Sequence, residues 1–235
     1  MSLSKKFFSR HLSPDKTRKS HLDYWKEYGG INDNKYFVAH NTVAIAPYQE
    51  DLQQSRSIIL FVGTLYKQKG IGELIECYAK AKASVGKLPE IKIIGKGPER
   101  ESIENLIKEL GLEHDIELTG AIYEESILKE YFVKSILCVS PRQAGLTVLK
   151  SLGYGVPFIT RTDAITGGEK ANIQNGRTGL FYDSEEELVE ILKQTVVDPS
   201  RFAAMSVAAR NYYNEEASPA LMAKGVIDAI NYVMK

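Results

Sequence analysis

The sequence has few of the residues that usually signal metal, disulfide or nucleic-acid chemistry. It contains two cysteines and four histidines, and no pair of cysteines has CxxC spacing. Cys77 and Cys138 fall in apolar helix-like and strand-like segments, so we expect buried thiols and no metal site or disulfide. Lys plus Arg and Asp plus Glu both number 30. Because the two charges balance, there is no overall positive field to attract nucleic acid, and we expect no nucleic-acid partner.

Long apolar runs are also missing. No stretch approaches the roughly 20 apolar residues of a membrane-spanning helix. Lys5, Lys6 and Arg10 near the start are followed by polar residues. A signal peptide would have an apolar core at that place. We therefore expect a cytoplasmic location, with peripheral contact at the inner face of a membrane as the open alternative.

From about residue 57 onward, short apolar runs alternate with segments of helical period. Ile71, Leu74, Ile75 and Tyr78 form one helical stripe, and Gly111 follows a second stripe as a C-terminal cap. Such alternation predicts βαβ units, so the fold class is α/β, a Rossmann-like doubly wound parallel sheet with flanking helices. The predicted strands are IILFV (58–62), IKII (91–94), IEL (116–118), ILCV (136–139) and VPFIT (156–160).

The two ends of the chain differ from this pattern. Helices are predicted over 187–196, after Asp198-Pro199, and after Ser218-Pro219, since proline suits the first turn of a helix. The first 50 or so residues are polar, with one helix-sized segment at Leu22–Tyr28 and an apolar run, YFVAHN, at 36–41. This region is interpreted as an appendage or as the end of a larger unit.

Two loops at strand ends have unusual composition, and ligands of open parallel sheets bind at the carboxyl ends of strands. The loop Gly63–Gly70 places Lys67 and Lys69 beside a helix start, which favours anions. The loop Gly95-Lys96-Gly97-Pro98 allows close approach of the backbone. For each loop a purely structural turn remains open.

The third loop lies in SPRQAGLTVLKSLGYGVPFIT, residues 140–160. Gly145 is predicted to start a helix that runs to about Tyr154, with Thr147, Lys150 and Tyr154 on one face. Free amides at the start of this helix, together with Lys150, can bind one anionic ligand. A diphosphate is the natural candidate.

In this order, the loops resemble the C-terminal, donor-binding half of retaining GT-B glycosyltransferases, the glycosyl transferases group 1 family. The resemblance runs from about Lys35 to the end of the chain. It implies residues 1–40 to be the tail end of an N-terminal domain plus linker, and 41–235 to be a Rossmann-like nucleotide-sugar-binding domain. The segments that carry it are KYFVAHNTV (35–43), VGTLYKQKG (62–70), IIGKGPER (93–100), IELTGAIYEE (116–125), residues 140–160 and NGRTGLFYD (175–183).

The resemblance implies roles for the matching residues. Lys69 stands where the family holds the donor diphosphate, the amides at Gly145–Thr147 meet the same group, and the turn Gly120–Ile122 packs on the base. We assign catalytic roles to Lys69 and Arg142. The donor-binding residues are Gly63, Thr64, Lys67, Gly95, Gly97, Gly120, Ala121, Ile122, Gln143, Ala144, Gly145, Leu146, Thr147 and Lys150.

Three positions depart from the family pattern. Thr64 stands where many members have an arginine, and Lys67 can supply that charge. The paired glutamates of the family, spaced E-x7-E, are Arg142 and Lys150 here, and neither side chain can accept a hydroxyl proton. Lys150 could bind the ribose with reversed polarity, both cations could hold the diphosphate, or Arg142 could bind an acidic sugar bidentately.

The implied reaction is transfer of a sugar from a nucleoside diphosphate sugar, with retention at the anomeric carbon, in cell-surface polysaccharide or glycoconjugate synthesis. The nucleotide sugar is a co-substrate, and we expect neither a cofactor nor a metal ion. The saccharide or lipid-linked acceptor would bind through an N-terminal domain that this stretch lacks, so we expect no turnover by this chain alone. A GT-B nucleotide-sugar epimerase and a non-catalytic pseudo-transferase or scaffold domain remain open.

Overall fold

The computed structural model describes residues 37, 39, 41–47 and 56–234. The predicted helix at Leu22–Tyr28 and most of the predicted N-terminal unit, 1–40, lie outside the described residues. Of the apolar run 36–41, the described residues Phe37, Ala39 and Asn41 have irregular backbone.

The described part of the chain contains eight strands: β1 Ile58–Val62, β2 Glu90–Ile94, β3 Ile116–Gly120, β4 Ser135–Val139, β5 Gln143–Ala144, β6 Phe158–Arg161, β7 Ile165–Thr166 and β8 Gly179–Tyr182. Six of them form the central sheet in the order β3-β2-β1-β4-β6-β8. All five strand pairs of this sheet are parallel. Strands β5 and β7 form a separate two-stranded ladder.

Helices connect the strands and continue to the C-terminus of the described chain. Side-chain caps fix two helix starts: Ser184 Oγ accepts from the amide of Glu187 at 3.3 Å, and Asp198 Oδ1 accepts from that of Arg201 at 3.2 Å. The helices are α1 Ile71–Val85, α2 Arg100–Glu109, α3 Glu125–Val133, α4 Thr147–Gly153, α5 Glu185–Val197, α6 Pro199–Tyr212 and α7 Pro219–Met234.

The alternation of side chains along β1 divides the core into two layers. Ile59 and Phe61 pack with helices α1, α2 and α5 on one face, whereas Leu60 packs with α3 and α4 on the other. Both cysteines are fully buried. Burial raises the pKa of each thiol to about 12, which agrees with their interpretation as apolar packing residues.

The sequence prediction of a doubly wound α/β sheet is confirmed. Each of the five predicted strands exists, with ends shifted by up to two residues. Strand β8 and the small β5–β7 ladder were not predicted, because their two to four residues are too short for a periodic signal. Helix α4 begins at Thr147, two residues later than expected, and is only seven residues long.

The path of the chain creates a crevice at the carboxyl ends of the strands. From β1 the chain adds β2 and β3 on one side, and then returns to place β4 on the other side of β1. The connections after β1 and β4 therefore leave toward opposite faces, and the gap between them is the usual ligand site of such sheets. Among residues 37–47 and 56–234, as far as described, no helix has the length and apolar character to cross a bilayer.

Candidate functional site

Backbone hydrogen bonds join the loops that follow β1, β2 and β3. The amide of Gly63 donates to Ile94 O at 3.0 Å, that of Leu65 donates to Lys96 O at 3.0 Å, and that of Gly95 donates to Gly120 O at 2.9 Å. The three loops therefore form one surface along the carboxyl ends of the strands. Rigid backbone of this kind can hold side chains in fixed positions around the crevice.

Gly95 and Gly97 are required by this packing of backbone on backbone. A Cβ on Gly95 would lie 1.9 Å from Gly63 O, and one on Gly97 would lie 2.2 Å from Leu65 O. No side chain fits at such distances. The need for glycine at both positions is therefore explained by the loop after β1, which they allow to pack closely. Their role in donor binding stays a prediction.

Lys69 lies at the end of a short 3-10 helix, Lys67–Lys69, and its side chain turns back over the end of β1. Its Nζ is 3.6 Å from the position of a Cβ on Gly63 and 5.8 Å from the ring centroid of Tyr66. Burial lowers the pKa of Lys69, and the nearby Cys138 partly opposes this shift. The ammonium of Lys69 thus lies against Gly63.

The loop after β4 contacts the same end of β1. The amide of Arg142 donates to Lys69 O at 3.3 Å, and Thr147 Oγ1 donates to Val62 O at 3.3 Å. Lys69 and Thr147 therefore lie against consecutive residues, Gly63 just after β1 and Val62 at its end. The hydroxyl of Tyr66 also donates to Gln143 Oε1 across the two loops. The structure thus brings Lys69 and the turn at 145–147 to the same end of β1, and their binding of one ligand stays a prediction.

The turn itself presents unused donors. Within the described part of the chain, no hydrogen bond is found from the amides of Gly145, Leu146 or Thr147. A Cβ on Gly145 would meet no atom within 4 Å, so open space lies over this residue. Ala144 is fully buried and pairs with Thr166 in the β5–β7 ladder. Its side chain therefore serves packing, and a donor-binding role of its backbone stays a prediction.

Arg142 is held by a buried carboxylate that the sequence analysis did not identify. Its Nε lies 2.7 Å from Oε2 of Glu73, whose side chain is 3% exposed. Oε1 of Glu73 accepts from the hydroxyl of Tyr182 at 2.9 Å and lies 3.5 Å from Nη1 of Arg161. The side chain of Arg142 as a whole remains 58% exposed, so Arg142 stays accessible to a ligand while its Nε is engaged.

Lys150 is also paired, with a glutamate at the start of α3. Its Nζ lies 2.5 Å from Oε2 of Glu125, and the hydroxyl of Tyr154 donates to Oε1 of Glu125 at 2.8 Å. Lys150 is 17% exposed. Tyr154 is fully buried, and its hydroxyl contacts the same carboxylate as Lys150. Glu125 is the last residue of the segment IELTGAIYEE (116–125), and the sequence assigned it no role.

The remaining predicted residues lie around the crevice without polar contacts of their own that define a role. Thr64 and Lys67 are exposed, and Ala121 and Ile122 are half-buried beside the turn at Gly120. In the portion of the chain that the structure describes, no group of three His, Cys, Asp or Glu side chains is arranged to hold a metal ion.

Comparison with known proteins gives a family match over most of this region. The family model described as glycosyl transferases group 1 matches residues 45–212, which is more than half of the chain. The matched range contains all the site residues described above.

Sequence similarity to named proteins supports the family match. The chain is 24% identical over 182 residues to α-monoglucosyldiacylglycerol synthase of Acholeplasma laidlawii, covering 75% of this chain and 45% of that protein. It is 24% identical over 168 residues to the GDP-mannose-dependent α-(1-6)-phosphatidylinositol monomannoside mannosyltransferase of Mycolicibacterium smegmatis, covering 67% and 43%. The chain thus spans less than half the length of these relatives.

Solved structures show the same fold. A mutant of Staphylococcus aureus TarM, in complex with fondaparinux, α-GlcNAc-glycerol and UDP, superposes with a TM-score of 0.71 at 19% identity, covering 89% of this chain and 42% of that one. The pneumococcal O-GlcNAc transferase GtfA, in complex with UDP and GlcNAc, superposes with a TM-score of 0.66 at 19% identity, covering 81% and 39%. By fold and by family match, the chain belongs to the glycosyl transferases group 1 family.

Proposed function

We propose that this chain is the donor-binding half of a retaining glycosyltransferase, and that it binds a nucleoside diphosphate sugar at the crevice between β1 and β4. The observation that carries the proposal is the meeting of two loops. Lys69 lies over Gly63 and Thr147 bonds to Val62, so a cation and a set of unused amides face one space. A diphosphate needs both kinds of group.

The chemistry follows from where negative charge grows. When the bond between the anomeric carbon and the diphosphate oxygen breaks, the electron pair leaves with the diphosphate and the sugar becomes oxocarbenium-like. Donors fixed at the place where this charge develops stabilise the transition state more than the ground state. Lys69 and the amides of Gly145–Thr147 fill that role, and the exposed side chain of Arg142 can add to it.

The acceptor belongs to a part of the enzyme outside this fold unit. The UDP complexes among the structural neighbours support a nucleotide-sugar donor. The two relatives named above act on lipid-linked or lipid substrates by name, which supports a saccharide or lipid-linked acceptor and synthesis of a cell-surface glycoconjugate. On this proposal the enzyme works in the cytoplasm or at the inner face of a membrane, and the isolated chain binds donor without turnover.

Calorimetric titration of the full 235-residue chain with UDP, GDP and ADP tests the proposal. We expect heat of binding with at least one nucleotide, and a loss of about tenfold or more in affinity for Lys69→Ala, as for a charge-assisted contact. Lys87→Ala is the matched control. Lys87 is exposed in the loop before β2, at the amino ends of the strands and so away from the crevice. Its affinity should equal that of the unmodified chain.

Two results would contradict the proposal in different ways. Absence of binding with all three nucleotides would favour a scaffold or pseudo-transferase domain. Binding that survives Lys69→Ala unchanged would show that the diphosphate lies elsewhere. Neither result depends on turnover, so the experiment needs no acceptor.

A further inference from the structure

Both cations that stand in place of the family glutamates have a glutamate partner from a neighbouring helix. Arg142 pairs with Glu73 of α1, and Lys150 pairs with Glu125 of α3. The two partners differ in accessibility, because the side chain of Glu73 is 3% exposed and that of Glu125 is 39% exposed. Of these two glutamates, Glu125 is the one that can offer its carboxylate to a ligand.

The pair Glu125–Lys150 lies between the two ends of the proposed nucleotide site. Glu125 is the first residue of α3 and closely follows the turn Gly120–Ile122, which the resemblance assigns to the base. Lys150 lies one helical turn after Thr147, where the diphosphate is proposed to bind. In a nucleoside diphosphate the ribose joins the base to the diphosphate, so its place is beside this ion pair.

The ion pair Glu125–Lys150 has hydrogen-bond acceptors and donors that its own contacts do not use. A carboxylate accepts at about four lone-pair sites, and an ammonium donates three hydrogens. The carboxylate of Glu125 uses one site for Lys150 Nζ at 2.5 Å and one for the Tyr154 hydroxyl at 2.8 Å. The remaining sites can accept from the two neighbouring hydroxyls of a ribose, which a cation alone cannot do.

The contacts also fix the carboxylate in place. Tyr154 is fully buried and its hydroxyl accepts from the amide of Ala46 at 3.0 Å. One oxygen of Glu125 is therefore tied to a buried side chain and the other to the half-buried Lys150. A carboxylate held at two points loses little further side-chain entropy when a ligand binds.

We propose that Glu125, positioned by Lys150 and Tyr154, accepts hydrogen bonds from the ribose hydroxyls of the bound nucleotide. The carboxylate that the family supplies from the helix after β4 comes here from α3. Lys150 takes the role of a positioning residue, with donors left for a hydroxyl oxygen. The inference rests on the proposed nucleotide binding at this crevice.

Titration calorimetry with ribose and deoxyribose nucleotides tests this inference on the full chain. The probes are the tightest binder among UDP, GDP and ADP, its 2′-deoxy counterpart, and inorganic pyrophosphate. We expect the unmodified chain to prefer the ribonucleotide by about tenfold, as for one hydrogen bond to a charged acceptor. In Glu125→Ala this preference should disappear, while the affinity for pyrophosphate stays unchanged.

Two further variants separate ligand recognition from folding. Glu124→Gln removes the same charge from the neighbouring exposed residue, whose carboxylate accepts from Ser126, and it should keep the ribose preference. The charge swap Glu125→Lys with Lys150→Glu returns a carboxylate to position 150. It should restore at least part of the preference, which a purely structural role of Glu125 would not require.

The possible failures are distinguishable. If the unmodified chain binds pyrophosphate and nucleotide but shows no ribose preference, or if Glu125→Ala keeps that preference, the role of Glu125 is overturned and the proposed function stands. If the unmodified chain binds neither nucleotide nor pyrophosphate, the proposed function itself is overturned, and the inference about Glu125 is overturned with it.

Discussion

The Nε atom of Arg142 lies 2.7 Å from Oε2 of Glu73, and this ion pair ties the loop after β4 to helix α1. The same carboxylate is contacted by Arg161 at the end of β6 and by Tyr182 at the end of β8. One buried glutamate therefore joins four elements at the carboxyl edge of the sheet. This arrangement braces the loop whose amides face open space.

Loss of Glu73 should destabilise the chain more than loss of Arg142. Glu73→Ala leaves the buried hydroxyl of Tyr182 without its acceptor and Arg142 without its carboxylate partner, whereas Arg161 keeps Asp163. We expect a loss of about 3 kcal/mol in the free energy of unfolding. Arg142→Ala should cost about 1 kcal/mol, because Arg142 is largely exposed and Glu73 keeps two donors. Urea unfolding measures both values, and the reverse order would contradict the role given to Glu73.

Two buried tyrosines should respond in opposite directions to loss of the hydroxyl. The hydroxyl of Tyr78 is buried, with no hydrogen-bond partner among the described residues, whereas that of Tyr182 donates to Glu73 at 2.9 Å. Tyr78→Phe removes an uncompensated polar group, so we expect stability to stay equal or to rise by about 1 kcal/mol. Tyr182→Phe should lower stability by about 1–2 kcal/mol.

Each tyrosine variant serves as the control for the other, since both remove one oxygen from a buried ring. Urea midpoints and slopes should be measured together, because an unchanged slope shows that the unfolded state is not altered. A clear loss of stability in Tyr78→Phe would show that this hydroxyl has a partner after all.

Long periodic elements could be predicted from the sequence, and pairings between distant side chains could not. Strands such as Ile58–Val62 and helices such as Ile71–Val85 have local patterns of apolar residues that fix their type. The loops at Gly63–Gly70 and 140–147 could be placed at one crevice because parallel strands end at one edge. Contacts of this kind follow from topology alone.

The identity of the ion-pair partners depends on three-dimensional packing. Glu73 lies 69 residues from Arg142, and Glu125 lies 25 residues from Lys150. Neither glutamate belongs to a spacing pattern, so the charges at 142 and 150 looked unpaired in the sequence. The role of Gly97 was equally hidden, because its neighbour is a carbonyl oxygen of another loop.

Alanine at two glycines should separate fold from ligand binding. Gly97→Ala places a Cβ 2.2 Å from Leu65 O, a backbone atom that cannot move away alone, and we expect a loss of at least about 3 kcal/mol. Gly145→Ala meets no atom within 4 Å, and Gly145 has no positive φ. The free energy of unfolding of the Gly145→Ala variant should therefore be unchanged.

The same Gly145→Ala variant should nevertheless weaken nucleotide binding, because its methyl group enters the space assigned to the diphosphate. Thermal unfolding and calorimetric titration on one preparation give both readouts. An unchanged nucleotide affinity in a folded Gly145→Ala variant would place the diphosphate away from this turn.

The pH dependence of binding should reveal the state of Lys69. Burial lowers the pKa of this ammonium below the ordinary lysine value of 10.5, so its charge is lost at a lower pH than on an exposed lysine. A bound diphosphate stabilises the ammonium and raises its pKa again. Binding should therefore take up protons and weaken as the pH rises through the lowered pKa.

The stability of the unliganded chain should change with pH in the opposite direction to the nucleotide affinity. The unfolded chain binds the Lys69 proton more tightly than the folded chain does, so the contribution of Lys69 to the free energy of unfolding rises with pH between the two pKa values. Titrations in two buffers of different ionisation enthalpy measure the proton uptake on binding. Lys69→Arg keeps its charge at high pH and should remove both slopes, whereas equal slopes in Lys69→Arg and the unmodified chain would assign the titration to another group.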